Sequence, residues 1–388
     1  MNQDWDPLQI GTETLAAELK ALRGRCPVPH AEVAGLYPFW SLLSYEDVTR
    51  AARDSKTFVN AAARLKLRRV PLESDAPEHM QIRRLLQPFF LPAALQAFEP
   101  LSRQIASQHV QAFVAAGGGD AVLALARPVP AQIALSLIGA PREDWSRIKL
   151  WSEQTFLSMS SDPADQQLAR AADDALWDYS RKVVEARSAA PGDPSRDPVT
   201  AMLQAQLNGG PMNPDLVVGT VRLVISAGHD STTSSIGICL NYLAGSPADQ
   251  SRLRGEPQLI PAAVEEILRY QSPVLMMPRT VARDVELRGR QLKAGDRLML
   301  NWAAANRDEA VFEQPDRCLL DRNPNRHVVF GHGVHTCLGA PLARQELRLV
   351  LAELLARTTS FELAGPVTYN IWHRYSPKSL PLKLVAGQ

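Results

Sequence analysis

Cys337 carries the most specific chemical signal in the sequence. It lies in Phe330 to Gly339, FGHGVHTCLG, between Gly333 and Gly339 and directly before a helical stretch. A helix N-terminus offers free N–H groups and the positive end of a dipole, and both stabilise a thiolate. The surrounding glycines let the backbone approach something flat and bulky. A lone cysteine beside a glycine-rich turn is also a common buried structural residue, so Cys337 alone leaves both readings open. His335 stands two residues before it, a spacing open to a metal-ligand reading. No second Cys/His pair accompanies them, which leaves a four-ligand zinc site unsupported.

Three further groups have types and spacings that suit chemistry. The stretch LVISAGHDSTTSSIG, Leu223 to Gly237, places Gly, His, Asp, Ser and Thr at the centre of an otherwise apolar helix pattern. Such residues lower helix propensity, because Gly adds backbone freedom and hydroxyl or carboxylate side chains compete for backbone hydrogen bonds. The bland reading is that small residues there allow close helix contacts. Glu266 and Arg269 stand at i, i+3, where a solvated pair of marginal value is common. His79 and Arg83 stand four apart on one helix face.

The elements that must position these residues are mostly helical. Apolar periodicity predicts helices over about 13–23, 45–53, 78–89, 92–115, 130–138, 142–159 and 165–189. Asn213 and Asp215 offer N-caps for a helix running to about Leu243, roughly 45 Å at 1.5 Å per residue. Another helix spans about 259–270. From Val274 to Leu300 the pattern changes to short strands and turns; 340–358 is helical again, and the tail is strand-like. The fold class expected is mainly α with a minor β region near the C-terminus.

Composition narrows the function classes. The 388 residues carry a net charge of +1, which gives no global case for nucleic acid or an anionic membrane. The four cysteines, Cys26, Cys239, Cys318 and Cys337, are far apart, unlike a secreted disulfide framework. The start lacks a basic segment followed by an apolar run, and no uninterrupted apolar run of about 18 residues occurs. A cytoplasmic protein without membrane association is expected.

Taken together, the chain resembles the cytochrome P-450 family. Phe330, Gly333, Cys337 and Gly339 fit its Phe-x-x-Gly-x-x-x-Cys-x-Gly signature. AGHDSTT, Ala227 to Thr233, is similar to its oxygen-binding motif, and Glu266-Ile-Leu-Arg269 to its Glu-x-x-Arg motif. ANRD, Ala305 to Asp308, and PDRC, Pro315 to Cys318, follow in family order. The resemblance covers nearly the whole chain, 1–388, as one haem domain with no fused reductase. It implies the family's triangular-prism fold, with haem b between the long central helix and the Cys337 helix. It also implies that Cys337 is the axial iron ligand, whose thiolate favours O–O cleavage.

Further roles follow from the same resemblance. Ala227, Gly228, Phe330, Gly331 and Gly339 would border the haem, with Gly228 leaving room in a loosened helix where O2 sits. His79, Arg83, Arg279 and His335 would hold the propionates. Asp230 and Ser231, with Thr232 beside them, would relay protons. Ser231 stands where the family usually has Thr and loses the methyl that restricts χ1. His229 is expected to point away. Glu266 and Arg269 would form a buried charge network with Arg317 as third partner, and Cys318 stands where the family usually has Phe.

Leu223, Ser226, Ala227, Val274, Leu275, Met276 and Met277 would line an apolar substrate pocket. Arg64, Lys66, Arg68 and Arg69 are either a solvated loop or a carboxylate clamp. The implied activity is insertion of one oxygen atom from O2 into an apolar small molecule. A separate ferredoxin and its reductase would supply electrons, docking on Arg83, Arg84, Arg326 and Arg344 of a monomer. A peroxide-driven peroxygenase and a haem-thiolate sensor are the alternatives.

Overall fold

The computed structural model describes residues 4–7, 11, 14–32, 37–60, 68–371 and 374–387. Helices dominate, as the periodicity predicts. In chain order they are α1 (Leu15–Arg25), α2 (Tyr45–Arg53), α3 (Glu78–Leu86), α4 (Pro92–Ala115), α5 (Pro128–Leu137), α6 (Trp145–Thr155) and α7 (Pro163–Ala189). There follow α8 (Pro198–Leu203), α9 (Pro214–Ala244), α10 (Pro247–Gly255), α11 (Ile260–Tyr270), α12 (Trp302–Ala305) and α13 (Ala340–Arg357). The starts have local causes. Ser44, Asp162, Asp197, Asn213 and Asn301 each accept a hydrogen bond from an N–H in the first turn of the helix they precede. Proline takes the first position of α4, α7, α8 and α9, where its missing N–H costs nothing. The single helix expected over 142–159 divides into a 3₁₀ turn, α6 and a second 3₁₀ turn.

The main sheet joins distant parts of the chain. Its order is His30–Ala31, Phe39–Leu42, Arg297–Asn301, Met276–Val281 and Phe58–Val59. The Arg297–Asn301 strand runs parallel to Phe39–Leu42 and antiparallel to Met276–Val281, which sets Leu298 opposite Arg279. The N-terminal strands are two to four residues long, too short to show alternation in the sequence.

Two large apolar clusters meet along α9. One contains Ile148, Leu176, Val217, Val221 and Ile225, and takes in the N-terminal half of α9. The other contains Ile133, Ile236, Ile238, Leu240, Ile267 and Leu351, and takes in its C-terminal half. This explains a helix that is apolar around its circumference at both ends. The polar stretch 226–235 falls between the clusters, where the apolar core is interrupted.

The helix itself does not break there. Ser226, Ser231, Ser234 and Ser235 donate to the carbonyls of Arg222, Ala227, Asp230 and Ser231, four residues back. These four serine hydroxyls are therefore satisfied along α9, while Thr233 Oγ1 is buried without a partner, and the helix is continuous from Pro214 to Ala244. The sequence-based expectation of a helix loosened into a groove is corrected to a continuous helix with hydroxyl back-bonding. Among the described residues no helix is long and apolar enough to cross a membrane.

Candidate active site

The loop before α13 is shaped by short backbone bonds. Cys337 N–H donates to Phe330 O at 2.8 Å, and Thr336 N–H to Gly333 O at 3.1 Å. Gly333 has φ 73°, and a Cβ there would lie 2.2 Å from Ala52 O of α2, so only glycine fits. Cys337 keeps exposed surface although burial pushes its thiol pKa up. Its sulfur therefore borders a recess within the surrounding protein. The N–H groups of Gly339 and Ala340, together with Arg83, oppose burial and favour the thiolate.

Beside this loop gathers a set of donors with too few acceptors. The rings of His79, on α3, and His335 lie 4.0 Å apart between centroids. His79 Nε2 is buried with no hydrogen-bond partner. Burial, then Arg83, pulls the His79 pKa down to about 4; burial, then His79, pulls His335 down to about 3. Arg279 is 5 % exposed, and its Nη1 donates to the Pro278 carbonyl at 2.7 Å. Burial lowers it to about 10, and Asp75 opposes that. Arg83 Nη1 donates to Thr336 O at 2.8 Å. Two neutral imidazoles and two guanidiniums thus converge, and the guanidinium charges require anions. Haem b, with a flat body and two carboxylates, fits this donor set and the thiol beside it.

Along α9 one face opens inward. Ala227 is exposed and Ser231 half-buried, while His229, Asp230, Thr232 and Thr233 are buried. Ser226, Leu223 and Val224 are half-buried. The structure assigns Gly228 differently from the sequence-based expectation. A Cβ there would stand 3.1 Å from Ala134 Cβ of α5, so this glycine permits close packing of α5 on α9. Ala227, not Gly228, presents the open surface. Thr232 is likewise turned into the protein, 3 % exposed, with its hydroxyl 3.5 Å from Gly228 O.

Asp230 is held by three groups from different parts of the chain. Lys149 Nζ of α6 lies 2.8 Å from Oδ1, His229 Nε2 3.1 Å from Oδ1, and Arg374 Nη1 3.6 Å from Oδ2. Burial alone would raise the carboxyl, but His229, Lys149 and Arg374 hold it well below its ordinary value. His229 points away from the open face, its Nδ1 against Ile225 O. Neither Lys149 nor Arg374 was among the expected site residues. Arg374 also stacks on Phe156, and Lys149 belongs to α6, so Asp230 ties the central helix to the segment above it.

The buried charge network forms with one member changed. Glu266 and Arg269 are fully buried, with Arg269 Nε 2.8 Å from Glu266 Oε2. Arg317 contributes only its carbonyl, which accepts from Arg269 Nη2 at 2.8 Å; its side chain turns outward to Gln314. The third side chain is Arg322, whose Nε lies 3.0 Å from both Glu266 oxygens. Next to it, Glu265 takes a bidentate pair from Arg344, and Arg344 stacks 4.3 Å over Phe330. Sequence reasoning missed Glu265, for which two adjacent glutamates are the only local sign.

The expected pocket strand is split. Leu275 and Met276 are buried in the larger cluster, whereas Val274 and Met277 stay half-buried. Arg68 pairs with Glu78 and Arg69 with Glu73, so neither is a free clamp. Arg64 and Lys66 lie outside the described residues.

A family model described as Cytochrome P450 matches residues 147–364. Mycinamicin IV hydroxylase/epoxidase of Micromonospora griseorubida is 34% identical, over 96% of this chain and 95% of that protein. Nocardicin C N-oxygenase of Nocardia uniformis subsp. tsuyamanensis is 32% identical, over 97% and 94%. Among solved structures, CYP108D1 from Novosphingobium aromaticivorans superposes with a TM-score of 0.88 at 32% identity, covering 99% of this chain and 97% of that one.

Proposed function

The chain belongs to the cytochrome P450 family, and on that premise we propose roles for its individual residues. The family makes it a haem b monooxygenase acting on an organic substrate with O2. Bound haem supplies the iron centre at which O2 is reduced and cleaved and one oxygen atom is inserted into substrate.

Cys337 would supply the thiolate that holds the haem iron, supported by the Gly339 and Ala340 N–H groups that favour its ionised sulfur. His79, His335, Arg83 and Arg279 would hold the propionates. The observation that carries this reading is the donor cluster beside Cys337, whose His79 Nε2 has no partner. Phe330, Gly331, Gly339 and Ala227 would border the bound haem. Glu266, Arg269 and Arg322 brace the loop from behind.

Asp230 and Ser231 form the proton relay. The Asp230 carboxylate first takes up a proton from solvent water and then gives it to Oγ of Ser231, on the open face, which releases its own hydroxyl proton in turn. The relay lies between the two apolar clusters that flank the centre of α9. Substrate is an apolar organic body lying against Leu223, Ala227, Val274 and Met277. The relatives named a hydroxylase/epoxidase and an N-oxygenase support this substrate class without selecting a member of it.

Electrons come from a separate ferredoxin and its reductase in the cytoplasm, the chain acting as one monomeric haem domain. Arg84 and Arg326 are exposed and suit an acidic partner, whereas Arg83 and Arg344 are engaged by Thr336 and Glu265. Turnover insensitive to salt would oppose that docking. The deciding experiment is the reduced, carbon monoxide-bound spectrum. A red-shifted thiolate Soret band is expected, and Cys337→Ser should abolish it; a band retained in the variant would refute the ligand assignment.

A further inference from the structure

We propose that the Glu265–Arg344 pair sets how electron-rich the Cys337 sulfur is, which makes these two side chains positioning residues that tune the reduction of bound haem. The inference rests on the assignment of Cys337 as the haem ligand above.

Two neighbouring glutamates on α11 grip the chain that leads into the Cys337 loop. Glu266 turns to Arg269 and Arg322. Glu265, roughly 100° away round the helix, turns to α13 and to His327. It accepts from Arg344 Nε at 2.8 Å and Nη2 at 2.7 Å, and lies 2.9 Å from His327 Nε2. The two parallel bonds fix the plane of the Arg344 guanidinium, whose Cζ sits 4.3 Å from the centre of the Phe330 ring. The Phe330 carbonyl accepts the Cys337 N–H at 2.8 Å. An ion pair, a stacked contact and a backbone hydrogen bond therefore connect Glu265 to the cysteine.

Charge acts along the same route. Burial pushes the Cys337 thiol up, and the Gly339 N–H, Arg83, the Ala340 N–H and Arg344 oppose it. Arg83 is assigned to a propionate, which leaves Arg344 as the cation of this set with no haem carboxylate to meet. Glu265 balances it instead. Burial alone would raise the Glu265 carboxyl, but His327 and Arg344 bring it down to about 2, so it is ionised at neutral pH.

A cation near the sulfur withdraws electron density from the ligand and favours the reduced, more negative haem; an anion does the reverse. Arg344 and Glu265 act with opposite signs, and the wild-type sulfur feels their difference. The Arg344 and Glu265 side chains are 39 % and 25 % exposed, so solvent screens both charges and holds the effect of removing either one to several-fold.

The test is spectroelectrochemical titration of holoenzyme with small-molecule mediators and no partner protein. It compares wild type with Glu265→Gln, Arg344→Gln and the double variant. Glu265→Gln leaves Arg344 unbalanced. It should raise the equilibrium constant for one-electron reduction by about three- to tenfold, roughly 30–60 mV at 59 mV per tenfold. Arg344→Gln leaves Glu265 unbalanced and should lower that constant by a similar factor. The double variant should return to within about twofold of wild type. A purely structural brace would instead move both single variants in one direction, since each loosens the same loop. Glu265→Asp and Arg344→Lys keep the charges and should stay closer to wild type than the glutamine variants. Where Arg344→Gln loses its haem, Glu265→Gln against Glu265→Asp decides. Shifts of one sign, no shift in Glu265→Gln, or charge-retaining variants that shift like the glutamine ones overturn the inference alone. Absence of the red-shifted thiolate band from the wild-type carbon monoxide spectrum overturns the ligand assignment beneath it.

Discussion

Replacing Arg322 by alanine should destabilise the protein by about 3–5 kcal/mol, while Arg317→Ala should cost under about 0.5 kcal/mol. Both arginines stand five residues apart in the same irregular stretch, and sequence alone favours Arg317. Arg322 is 7 % exposed at its side chain, and its Nε bridges both oxygens of Glu266 at 3.0 Å. Its Nη1 and Nη2 reach Glu313 O at 2.7 Å and the Gln314 and Arg317 carbonyls at 3.2 Å. Truncation removes a cation from a fully buried carboxylate and takes the Glu313 carbonyl's donor, while Gln314 O keeps the Arg317 N–H and Arg317 O keeps Arg269. Glu266 keeps Arg269, so the loss belongs at the lower end of the range for breaking a buried pair. The Arg317 side chain, by contrast, reaches only Gln314 Oε1 at the surface, and its structural role is its carbonyl, which alanine retains. Unfolding entropy of about 2.1 cal/mol/K per residue gives roughly 0.8 kcal/mol/K for a chain of this length. Arg322→Ala should therefore lower the thermal midpoint by about 4–6 °C and Arg317→Ala by under about 1 °C. The assay is thermal unfolding of both variants at one scan rate, with haem content measured in parallel. Equal midpoints, or the larger loss in Arg317→Ala, would show that the Arg322–Glu266 pairing does not brace the loop.

Three other outcomes follow from the geometry. Gly333→Ala places a Cβ 2.2 Å from Ala52 O at φ 73°, so it should cost more than about 3 kcal/mol and reduce haem bound per chain. Full haem occupancy with an unchanged midpoint would contradict that. Burial alone would raise the Glu265 carboxyl, but His327 and Arg344 bring it down to about 2 from an ordinary 4.5. Its contribution is thus complete above pH 4.5 and fades as pH falls toward 2. Glu265→Gln should lower denaturant stability by about 2–3 kcal/mol at neutral pH, and the gap from wild type should narrow below about pH 4.5. A gap independent of pH would remove the ion pair as its cause. Ser231→Ala should raise peroxide released per NADH, whereas Thr232→Ala, at a side chain 3 % exposed, should stay close to wild type. The reverse ranking would move the relay to Thr232.

Local features of the sequence located the elements and the reactive loop. Helix bounds were legible because caps, prolines and apolar periodicity act within a few residues: 92–115 and 45–53 agree with α4 and α2. The Cys337 loop was legible because its glycines and cysteine fall within ten residues; of the two glycines, Gly333 is required by φ 73° and by Ala52 O of α2, whereas Gly339 has an ordinary φ of −80°. Ser231 was distinguishable by motif from Thr232, though not by chemistry, since both carry a hydroxyl.

Other assignments required the folded chain, because they depend on side-chain direction and on partners remote in sequence. Gly228 reads as room beside a ligand, yet α5 arrives on that side of the helix and Ala134 occupies it. Asp230 reads as an acid with an adjacent alcohol; its cations come from Lys149, 81 residues earlier, and Arg374, at the other end of the chain. Arg317 and Arg322 differ in no local property that predicts which reaches Glu266. A motif fixes which groups are available within a turn or two of backbone. Packing of α6, α5 and the C-terminal strands against α9 decides which face each group presents and which charge it meets, and those contacts have no counterpart in local sequence.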